Sequence, residues 1–453
     1  MSHSIAFIAK DFDILKKEIF DFSGLEGAAF LFCGESVSNE RVTLIAREIF
    51  PITKEHYLSR KHDGLSIDSQ AYVNAVKRAL RNKATIIFVH SHPGEFKDFS
   101  QRDEKELLKL HKFFSARMPD RHHGSLILTK EGKFSGRVWF NNKWSEIDKL
   151  KIIGKRFKFL SSDNPKPISD FFDRQVLVFG NKIQESLQNI HIGIVGAGGT
   201  GSCVAEQVAR LGVGQISIFD DDKLEKSNMS RVFGSTLKDV GKNKAEILAN
   251  HIKNIEIGTS VNAYPKSICE KDTAMKLRDC DVIFGCSDTH SSRGIITRLS
   301  HYYFIPFIDL AVLVNSSGGI IQEIVGRVTT VFPGEACLFC RDRIKPEIIT
   351  LEGMTEKERK RLVSEKYAPE LDTDDPSVIT FTAEVACQGV TELIHRIADF
   401  KGSDYNSTEM LMFFDKNSIR TNTVPPKDNC LCMREENLGI GDKRDFLGLI
   451  WQK

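Results

Sequence analysis

A glycine-rich turn between an apolar strand and a helix constrains the fold of this chain more than any other feature of its sequence. The run IHIGIVG (190–196) suits a buried strand, and the turn GAGGTGS (196–202) follows it directly. A helical pattern rich in alanine and valine (202–211) and a second apolar run, QISIFD (215–220), complete a βαβ unit. Further apolar runs at 281–288 and 307–312 continue the alternation, which predicts an α/β domain with a Rossmann-like parallel sheet.

The first part of the chain has a different pattern. Apolar β-type runs at 27–34 and 84–89 are mixed with helical segments at 68–81 and 104–114. We therefore predict a mixed α+β domain over 1–150, a basic and then Ser/Asn/Pro-rich linker over 151–170, and a second domain over 171–453. The length of 453 residues suits such a division, since domains typically have about 100–200 residues.

Composition excludes several classes of function. With 63 basic and 61 acidic residues the formal charge is +2, which predicts no nucleic-acid partner and no membrane surface. No apolar run approaches the roughly 18–20 residues of a transmembrane helix, and the N-terminal segment does not resemble a signal peptide. Ten cysteines are too dilute for a secreted disulfide scaffold, so we expect a reducing cytoplasm.

Two histidines in VHSHPGEFKDFSQRD (89–103) suit a metal site. Alternate residues of a strand point to the same face, so His90 and His92 can bind one ion, and Asp103 can return from the following helix as a third ligand. Three protein ligands leave a position open for water, as in catalytic zinc sites, and Ser100 is placed to hydrogen-bond an oxyanion. The structural alternative is a capping box formed by Ser100 and Asp103, which is compatible with the metal site.

These residues resemble the JAMM (JAB/MPN) metalloproteases, which cut isopeptide or peptide bonds after ubiquitin-like proteins. The resemblance rests on the pattern H-x-H-x7-S-x-x-D after a strand and covers roughly residues 5–140. It implies a glutamate that acts as general acid and base from an earlier strand. Glu26 is the favoured match, and Glu35, just past the same strand, is the alternative.

The glycine-rich turn in the second part indicates a nucleotide site. Its glycines, Gly196, Gly198, Gly199 and Gly201, let phosphates approach the backbone at a helix N-terminus, and Asp220 suits the ribose hydroxyls. Taken alone this pattern is most typical of nicotinamide oxidoreductases. The amide of Asn228 and the cations Arg231 and Lys244, which follow Asp220, instead favour a triphosphate that is split between its α- and β-phosphates. Arg174, ahead of the first strand, is a further phosphate cation, and Asp288 is the expected Mg²⁺ ligand.

The ordered set of Arg174, GAGGTGS, Asp220, SNxxR, DVGxxK and CSD resembles the ubiquitin-activating superfamily in its ThiF/MoeB-like form, over about residues 171–435. This resemblance implies adenylation of the C-terminal glycine of a ubiquitin-like protein with ATP and Mg²⁺. It also implies a homodimer in which Arg174 reaches the ATP site of the partner subunit.

Two close cysteine pairs predict a second, structural zinc site. Cys337 and Cys340 form a C-x-x-C pair, and Cys430 and Cys432 form a C-x-C pair. Four thiolates from two distant segments suit a closed zinc site, in which Cys432 is the less usual ligand. The alternatives are coincidentally paired thiols and a redox motif; the Pro-Gly turn before Cys337 disfavours the latter.

Together these features predict a bifunctional enzyme of a bacterial ubiquitin-like modification system, which activates a modifier and processes or removes it. A conjugating enzyme is an implied partner, and an antiphage setting rests on the resemblance alone. The alternatives are ThiF-like activation coupled to amide or thiocarboxylate synthesis, a nicotinamide oxidoreductase, and a binding module without activity.

The sequence departs from the family pattern at the position expected for the acyl acceptor. Related enzymes carry a cysteine in the loop that corresponds to residues 341–377, where this chain has none. Cys387 lies in an apolar helical stretch and is predicted to be a core thiol, and Cys203 lies in the helix beside the nucleotide turn. We therefore predict no cysteine thioester, with direct transfer or transfer through a hydroxyl such as that of Thr373.

Overall fold

The computed structural model describes residues 1–21, 24–162, 167–364, 376–402 and 404–451. Its secondary structure falls into two compact units. The first unit comprises residues 1–165, 302–304 and 435–448, and the second comprises 166–301, 305–434 and 449–453. None of the described helices has the length and apolar character needed to cross a membrane.

The first unit is built on a mixed sheet that, within the described residues, has the strand order β11-β10-β1-β3-β2-β6-β7-β8-β9, with a separate β4-β5 hairpin. The strands are β1 (Ser2–Ile8), β2 (Ala28–Val37), β3 (Arg41–Pro51), β4 (Tyr57–Lys61), β5 (Gly64–Ile67), β6 (Thr85–His92), β7 (His123–Thr129), β8 (Phe134–Phe140), β9 (Lys143–Glu146), β10 (Lys149–Ile153) and β11 (Phe157–Ser161). The helices are α1 (Ala9–Ile19), α2 (Ser69–Asn82) and α3 (Gln101–Ser115).

Both faces of this sheet are buried, which explains why its central strands are continuously apolar. Along β2, Leu31 and Cys33 face the core beneath α1, whereas Phe30 and Phe32 face the core formed with α2 and α3. Period-two alternation distributes the side chains of one strand between two cores. The sheet therefore holds the end of β6 and the start of α3 on a rigid support.

The second unit contains the predicted Rossmann-like sheet, in the order β14-β13-β12-β15-β16-β17-β18-β19. Its strands are β12 (His191–Val195), β13 (Gln215–Phe219), β14 (Ser260–Tyr264), β15 (Val282–Gly285), β16 (Phe307–Ser317), β17 (Ile320–Val331), β18 (Glu409–Phe413) and β19 (Ser418–Asn422). Its helices are α4 (Asp173–Phe179), α5 (Asn181–Gln188), α6 (Gly199–Arg210), α7 (Lys244–Lys253), α8 (Lys271–Lys276), α9 (His290–Tyr303), α10 (Pro346–Glu352), α11 (Glu356–Ser364) and α12 (Ile379–Ala398).

Strands β12 to β16 are parallel, and β17 to β19 continue the sheet antiparallel. The chain moves outward from β12 in one direction through β13 and β14, and in the other through β15 and β16. Open α/β sheets bind ligands where this direction reverses, outside the carboxyl ends of the strands. The crevice between β12 and β15 is therefore the expected ligand site, and the predicted α/β and α+β fold class is confirmed.

The predicted linker is wrong in its first half. Residues 149–161 form β10 and β11, and β10 pairs in parallel with β1. The basic residues in this stretch alternate with Leu150, Ile152 and Phe157, which are buried, so the charges mark one face of a strand pair and not a solvated connection. The second domain also differs, because 302–304 and 435–448 belong to the first unit.

The segment 435–448 completes the exposed end of β2. Beyond Cys33 this strand has no partner in β6, and Glu35 makes a parallel bridge with Gly441 instead. The N–H of Val37 donates to Asp442 Oδ2 at 2.7 Å. A Cβ at Gly34 would lie 2.2 Å from the carbonyl oxygen of Gly439, so the two backbones meet only because residue 34 is glycine.

We expect Gly34→Ala to loosen this contact and destabilise the end of β2 by about 1–3 kcal/mol, the usual cost of overpacking. Amide hydrogen exchange of β2 in the full chain measures the effect. Gly94→Ala is the matched control, because a Cβ there meets nothing within 4 Å. Equal exchange in the two variants would show that the segment does not depend on Gly34.

Candidate functional site

The end of β6 and the first turn of α3 bring three metal-ligand side chains together in the first unit. His90 Nε2 lies 3.5 Å from Asp103 Oδ1, and His92 Nε2 lies 3.9 Å from Asp103 Oδ2. One ligand atom from each of the three side chains lies within 4.8 Å of the others. The structure thus assembles the set that was predicted from the spacing in the sequence.

The hydrogen bonding of both histidines suits a metal. The Nδ1 of His92 lies 2.8 Å from the carbonyl oxygen of Phe96, to which only an N–H can donate, so the Nε2 lone pair faces the cluster. His90 is buried, and neither of its ring nitrogens has a hydrogen-bond partner among the described residues. Buried polar atoms are rarely left without partners, and a cation between these side chains would satisfy His90. The residues present therefore fit zinc.

Ser100 and Asp103 form the predicted capping box as well. The N–H of Asp103 donates to Ser100 Oγ at 3.2 Å, and the N–H of Ser100 donates to Asp103 Oδ2 at 2.9 Å. Burial alone would raise the pKa of Asp103, but His90 and the hydrogen bonds from Ser100 hold it well below its usual range. The cap thus fixes the direction of the Asp103 carboxylate and keeps it ionised.

Glu26 lies beside this cluster, with its Oε1 3.8 Å from His92 Nε2. Glu26 precedes β2 and is held by β4. The N–H of Glu26 donates to the carbonyl of Lys61, and Arg60 Nε donates to the carbonyl of Glu26 at 2.6 Å. Burial raises the pKa of Glu26 to about 8, and the carboxylates of Asp103 and Asp63 contribute to the rise. A cation held by the cluster would oppose this rise.

Glu35 occupies a different place. It lies within β2, not past its end, and its carboxylate accepts the N–H of His122 at 2.9 Å. The strands β2 and β6 pair with Ala28 opposite His90 and Cys33 opposite Thr85, so Glu35 is at the far end from the histidines. Of the two glutamates, the structure brings only Glu26 to the cluster.

A cavity of about 770 Å³ opens beside the cluster. Its apolar lining comes from the β4-β5 hairpin, α2 and α3, and includes Leu65, Tyr72 and Phe113. Arg102 lines this cavity and donates from Nη2 to the carbonyl of Leu65 at 3.2 Å. Sequence analysis missed Arg102, because nothing in its local pattern distinguishes it from a solvated helix charge.

We expect His92→Ala to reduce the zinc content of the purified chain by one equivalent. The three-residue cluster would lose His92 Nε2, whose lone pair is oriented by the hydrogen bond from Nδ1 to Phe96. Elemental analysis of the full chain measures this loss. His62→Ala is the control, because His62 lines the same cavity without joining the cluster. Unchanged zinc in the His92 variant would contradict the assignment.

In the second unit, the glycine turn lies at the β12/β15 crevice. Gly196 has a φ of +95°, and a Cβ there would lie 2.8 Å from the backbone of Cys286. A Cβ at Gly201 would lie 1.8 Å from the carbonyl oxygen of Gly196. Only glycine is tolerated at both positions, and α6 consequently begins directly at the turn with its N–H groups facing the crevice.

Asp220 connects this turn to the end of β13. Its carboxylate accepts the N–H of Ala197 at 2.6 Å and that of Asp222 at 2.9 Å. Burial raises the pKa of Asp220, while the Ala197 N–H and the Lys244 ammonium oppose the rise. Lys244 itself pairs with Asp222 Oδ2 at 2.7 Å, at the start of α7.

Arg231 and Asn228 follow on the same side. The side chain of Arg231 packs against the glycine turn, as a Cβ at Gly199 would lie 3.3 Å from the Cγ and Cδ atoms of Arg231. Its Nη1 donates to the carbonyl of Ser227. Asn228 is buried, and its Oδ1 accepts the N–H of Glu225 at 3.3 Å. The structure therefore brings Arg231 to the turn, with Asn228 in the same loop and Lys244 beside Asp220.

Asp288 is exposed and lies in the loop after β15, which packs against the glycine turn at Cys286. Behind it is a buried ionic group that sequence analysis missed. Asp309 accepts Arg293 Nε at 3.0 Å and Arg327 Nη2 at 2.9 Å, and Arg293 Nη1 reaches the carbonyl of Asp288 at 3.5 Å. Arg293 follows Asp288 by five residues, the only local signal of this connection.

Arg174 is not part of this arrangement of side chains. It is exposed on α4, a short helix that also exposes apolar side chains: Leu177 (86%) and Val178 (73%). The role predicted for Arg174 requires a second subunit, so it stays a prediction.

The four paired cysteines meet as predicted. The Sγ atoms of Cys337 and Cys340 are 3.8 Å apart, and Cys430 and Cys432 approach them at 3.4 Å each. Tetrahedral zinc with bonds of about 2.3 Å places its sulfur ligands about 3.8 Å apart, so the spacing fits a four-thiolate site. The backbone N–H of Lys427 donates to Cys340 Sγ at 3.3 Å, which also suits a thiolate ligand.

The prediction of a buried Cys387 is wrong, because the structure exposes this thiol. The buried side of α12 includes Val385, Ala386 and Gly389, and position 387 turns to the opposite side. The apolar residues in this stretch extend around more than one face of the helix, which hid its orientation. Thr373 lies outside the described residues.

The fold and the glycine turn define a Rossmann-like α/β domain with its ligand crevice between β12 and β15. The sequence model of the ThiF family matches residues 172–433, more than half of the chain, and the chain belongs to that family. The match begins at residue 172, so the interpretation of the metal cluster in the first unit rests on its geometry.

Several known proteins are similar to this chain. Ubiquitin-like modifier-activating enzyme 5 of Drosophila grimshawi is 26% identical over 269 residues, covering 56% of this chain and 63% of that protein. The SAMP-activating enzyme E1 of Haloferax volcanii is 27% identical over 180 residues, covering 39% and 63%. The chain thus spans less than two thirds of the length of these curated relatives.

A solved structure of Escherichia coli MccB with ATP is similar in fold. It is 18% identical, with a TM-score of 0.46, and the alignment covers 58% of this chain and 74% of that one.

Proposed function

We propose that the chain is a bifunctional enzyme that adenylates the C-terminal glycine of a ubiquitin-like protein with ATP and also hydrolyses a bond at such a glycine. The first activity belongs to the second unit and the second activity to the first unit. The carboxyl edge of the Rossmann-like sheet carries the first proposal, and the cluster of His90, His92 and Asp103 carries the second.

Adenylation requires the carboxylate of the modifier to attack the α-phosphate of ATP as pyrophosphate leaves. The N-terminus of α6 and the side chains of Arg231 and Lys244 surround the place where the phosphates would lie, and Asp220 is placed for the ribose. ATP and Mg²⁺ fit a domain of this family. Mg²⁺ held by Asp288 would neutralise charge on the phosphates.

We expect Asp288→Ala to abolish ATP–pyrophosphate exchange dependent on a ubiquitin-like protein, because the Mg²⁺ on the phosphates would lose its carboxylate ligand. Peptidase activity, which belongs to the other unit, is expected to be retained. Radiolabelled pyrophosphate incorporation measures the exchange. Asp272→Ala, an exposed acid on α8, serves as the control. Full exchange by the Asp288 variant would remove this residue from the magnesium role.

The first unit has the groups that hydrolysis of a peptide or isopeptide bond requires. Zinc held by His90, His92 and Asp103 would polarise a carbonyl and lower the pKa of water. Glu26, just before β2, lies beside the same cluster and can take a proton from the attacking water and pass it to the leaving amine. Ser100 is available to hydrogen-bond the developing oxyanion, although its hydroxyl lies 2.7 Å from Asp103 Oδ2 here.

We expect Glu26→Gln to keep its zinc and lose about 100-fold or more of the cleavage rate, since the amide cannot accept the proton. Cleavage of ubiquitin-like proteins extended beyond their C-terminal glycine, followed by gel electrophoresis, measures the rate. Glu35→Gln is the matched control from the same strand region. Similar losses in both variants would point to the fold of β2 and not to proton transfer.

The acceptor of the adenylate stays a prediction. Residues 341–377 contain no cysteine, so we propose that the chain forms no thioester. Cys387 is exposed and lies on α12, the helix that follows this loop, so it is the thiol that tests this proposal.

Incubation of the chain with ATP, Mg²⁺ and its modifier is expected to give no covalent adduct that dithiothreitol cleaves, because the family's acceptor position lacks a thiol. Non-reducing gel electrophoresis and mass spectrometry measure adduct formation. An adduct that disappears in Cys387→Ala and persists in Cys203→Ala would contradict the proposal and make Cys387 the acceptor.

A homodimer and a conjugating enzyme are the proposed partners, in a cytoplasmic, bacterial modification system with an antiphage role. The exposed apolar side chains beside Arg174 on α4 support the homodimer, since burial against a second copy would remove them from water. In such a dimer Arg174 would supply a phosphate ligand to the other subunit.

A further inference from the structure

A carboxylate from α10 lies on the N-terminus of α9. Glu352 Oε1 accepts the backbone N–H of His290 at 2.9 Å, and its Oε2 accepts that of Ser291 at 2.7 Å. The first N–H groups of a helix have no intrahelical partners, and a carboxylate there also benefits from the helix dipole. This cap comes from a residue about 60 positions further along the chain, whereas ordinary caps are local.

Two more contacts hold α10 across the first turn of α9. The N–H of Lys345, just before α10, donates to His290 Nδ1 at 3.0 Å. A Cβ at Gly294 would lie 3.1 Å from Ile349 Cδ1, which shows that the two helices touch in the middle of α10. The segment 345–352, which we call the clamp, is thus joined to α9 at its start, middle and end.

The clamp contacts the start of α9, which directly follows the loop that contains Asp288. Thr289 Oγ1 accepts the N–H of Ser292 at 3.3 Å, so Thr289 and Glu352 together satisfy the first N–H groups of α9. Arg293, in the same turn, reaches the carbonyl of Asp288 and is anchored by Asp309. Asp288 therefore stands directly before a helix start whose position depends on the clamp.

We propose that Glu352 is a positioning residue for the nucleotide site, which orders the Asp288 loop by docking the clamp on α9. The proposal rests on the proposed adenylation. Release of Glu352 leaves two backbone N–H groups without partners, so the docked clamp and the ordered loop form together. The effect of Glu352 reaches the nucleotide through the Mg²⁺ ligand and not through contact with ATP.

The test compares Glu352→Gln with Glu347→Gln in the full chain. Both variants remove one negative charge from α10, but Glu347 is exposed in the first turn and, among the described residues, makes no hydrogen bond or ion pair with α9. Calorimetry measures the affinity for a non-hydrolysable ATP analogue, once with Mg²⁺ and once with EDTA. Amide hydrogen exchange over 286–294 reports the order of the loop independently of nucleotide.

We expect Glu352→Gln to speed exchange at His290 and Ser291 and to weaken analogue binding with Mg²⁺ by about five- to tenfold, the size of a modest coupling between sites. Binding with EDTA is expected to stay unchanged, and Glu347→Gln to match the natural chain throughout. Glu352→Asp, whose shorter side chain cannot reach both N–H groups, is expected to give an intermediate loss.

Equal analogue affinity of the Glu352 and Glu347 variants with Mg²⁺ would overturn the proposal. Equal losses with Mg²⁺ and with EDTA would also overturn it, because a general disruption of the site does not act through Asp288. Failure of the natural chain to bind the analogue would instead overturn the proposed adenylation, which separates the two conclusions.

Discussion

The first turn of α6 lies so close to the end of β12 that residue 201 has no space for a side chain. A Cβ there would lie 1.8 Å from the carbonyl oxygen of Gly196. This close approach lets the Ala197 N–H reach Asp220 and brings the loop after β15 against Gly196. The proposed nucleotide site of the second unit, which includes Asp220 and Asp288, depends on the absence of a side chain at residue 201.

The first unit depends on register in a comparable way. Ala28 lies opposite His90, and the N–H of Ser91 donates to the carbonyl of Gly27. A shift by one residue would turn both histidines to the other face of the sheet, toward the core beneath α1. The hydroxyl of Ser91 secures the register, since it accepts the N–H of Gly27 at 2.9 Å and donates to the carbonyl of Ile19 at 2.8 Å.

Local patterns predicted most of the site, and long-range contacts explain the remainder. The glycine turn, the H-x-H strand end and the cysteine pairs are each contained in a few residues, so the sequence alone indicated them as candidate sites. The salt bridges of Asp309, the cap formed by Glu352 and the bridge between Glu35 and Gly441 join residues far apart in the chain, and no local pattern marks them. The strands over 149–161 were predicted as a linker, and Cys387 was predicted to be buried. Both predictions were wrong because charged or apolar residues show which face of a strand or helix is buried only when the elements packed against it are known.

The bridge between β2 and the segment 435–448 has a consequence for synthesis. Val37 and Asp442 are 405 residues apart, so the end of β2 leaves the ribosome long before its partner exists. At about 5–20 residues per second the interval is on the order of tens of seconds, during which this strand end is an unpaired edge open to association with other chains. A nascent chain halted inside the second unit would keep that edge, because its pairing partners, Gly441 and Asp442, follow the strands and helices of that unit.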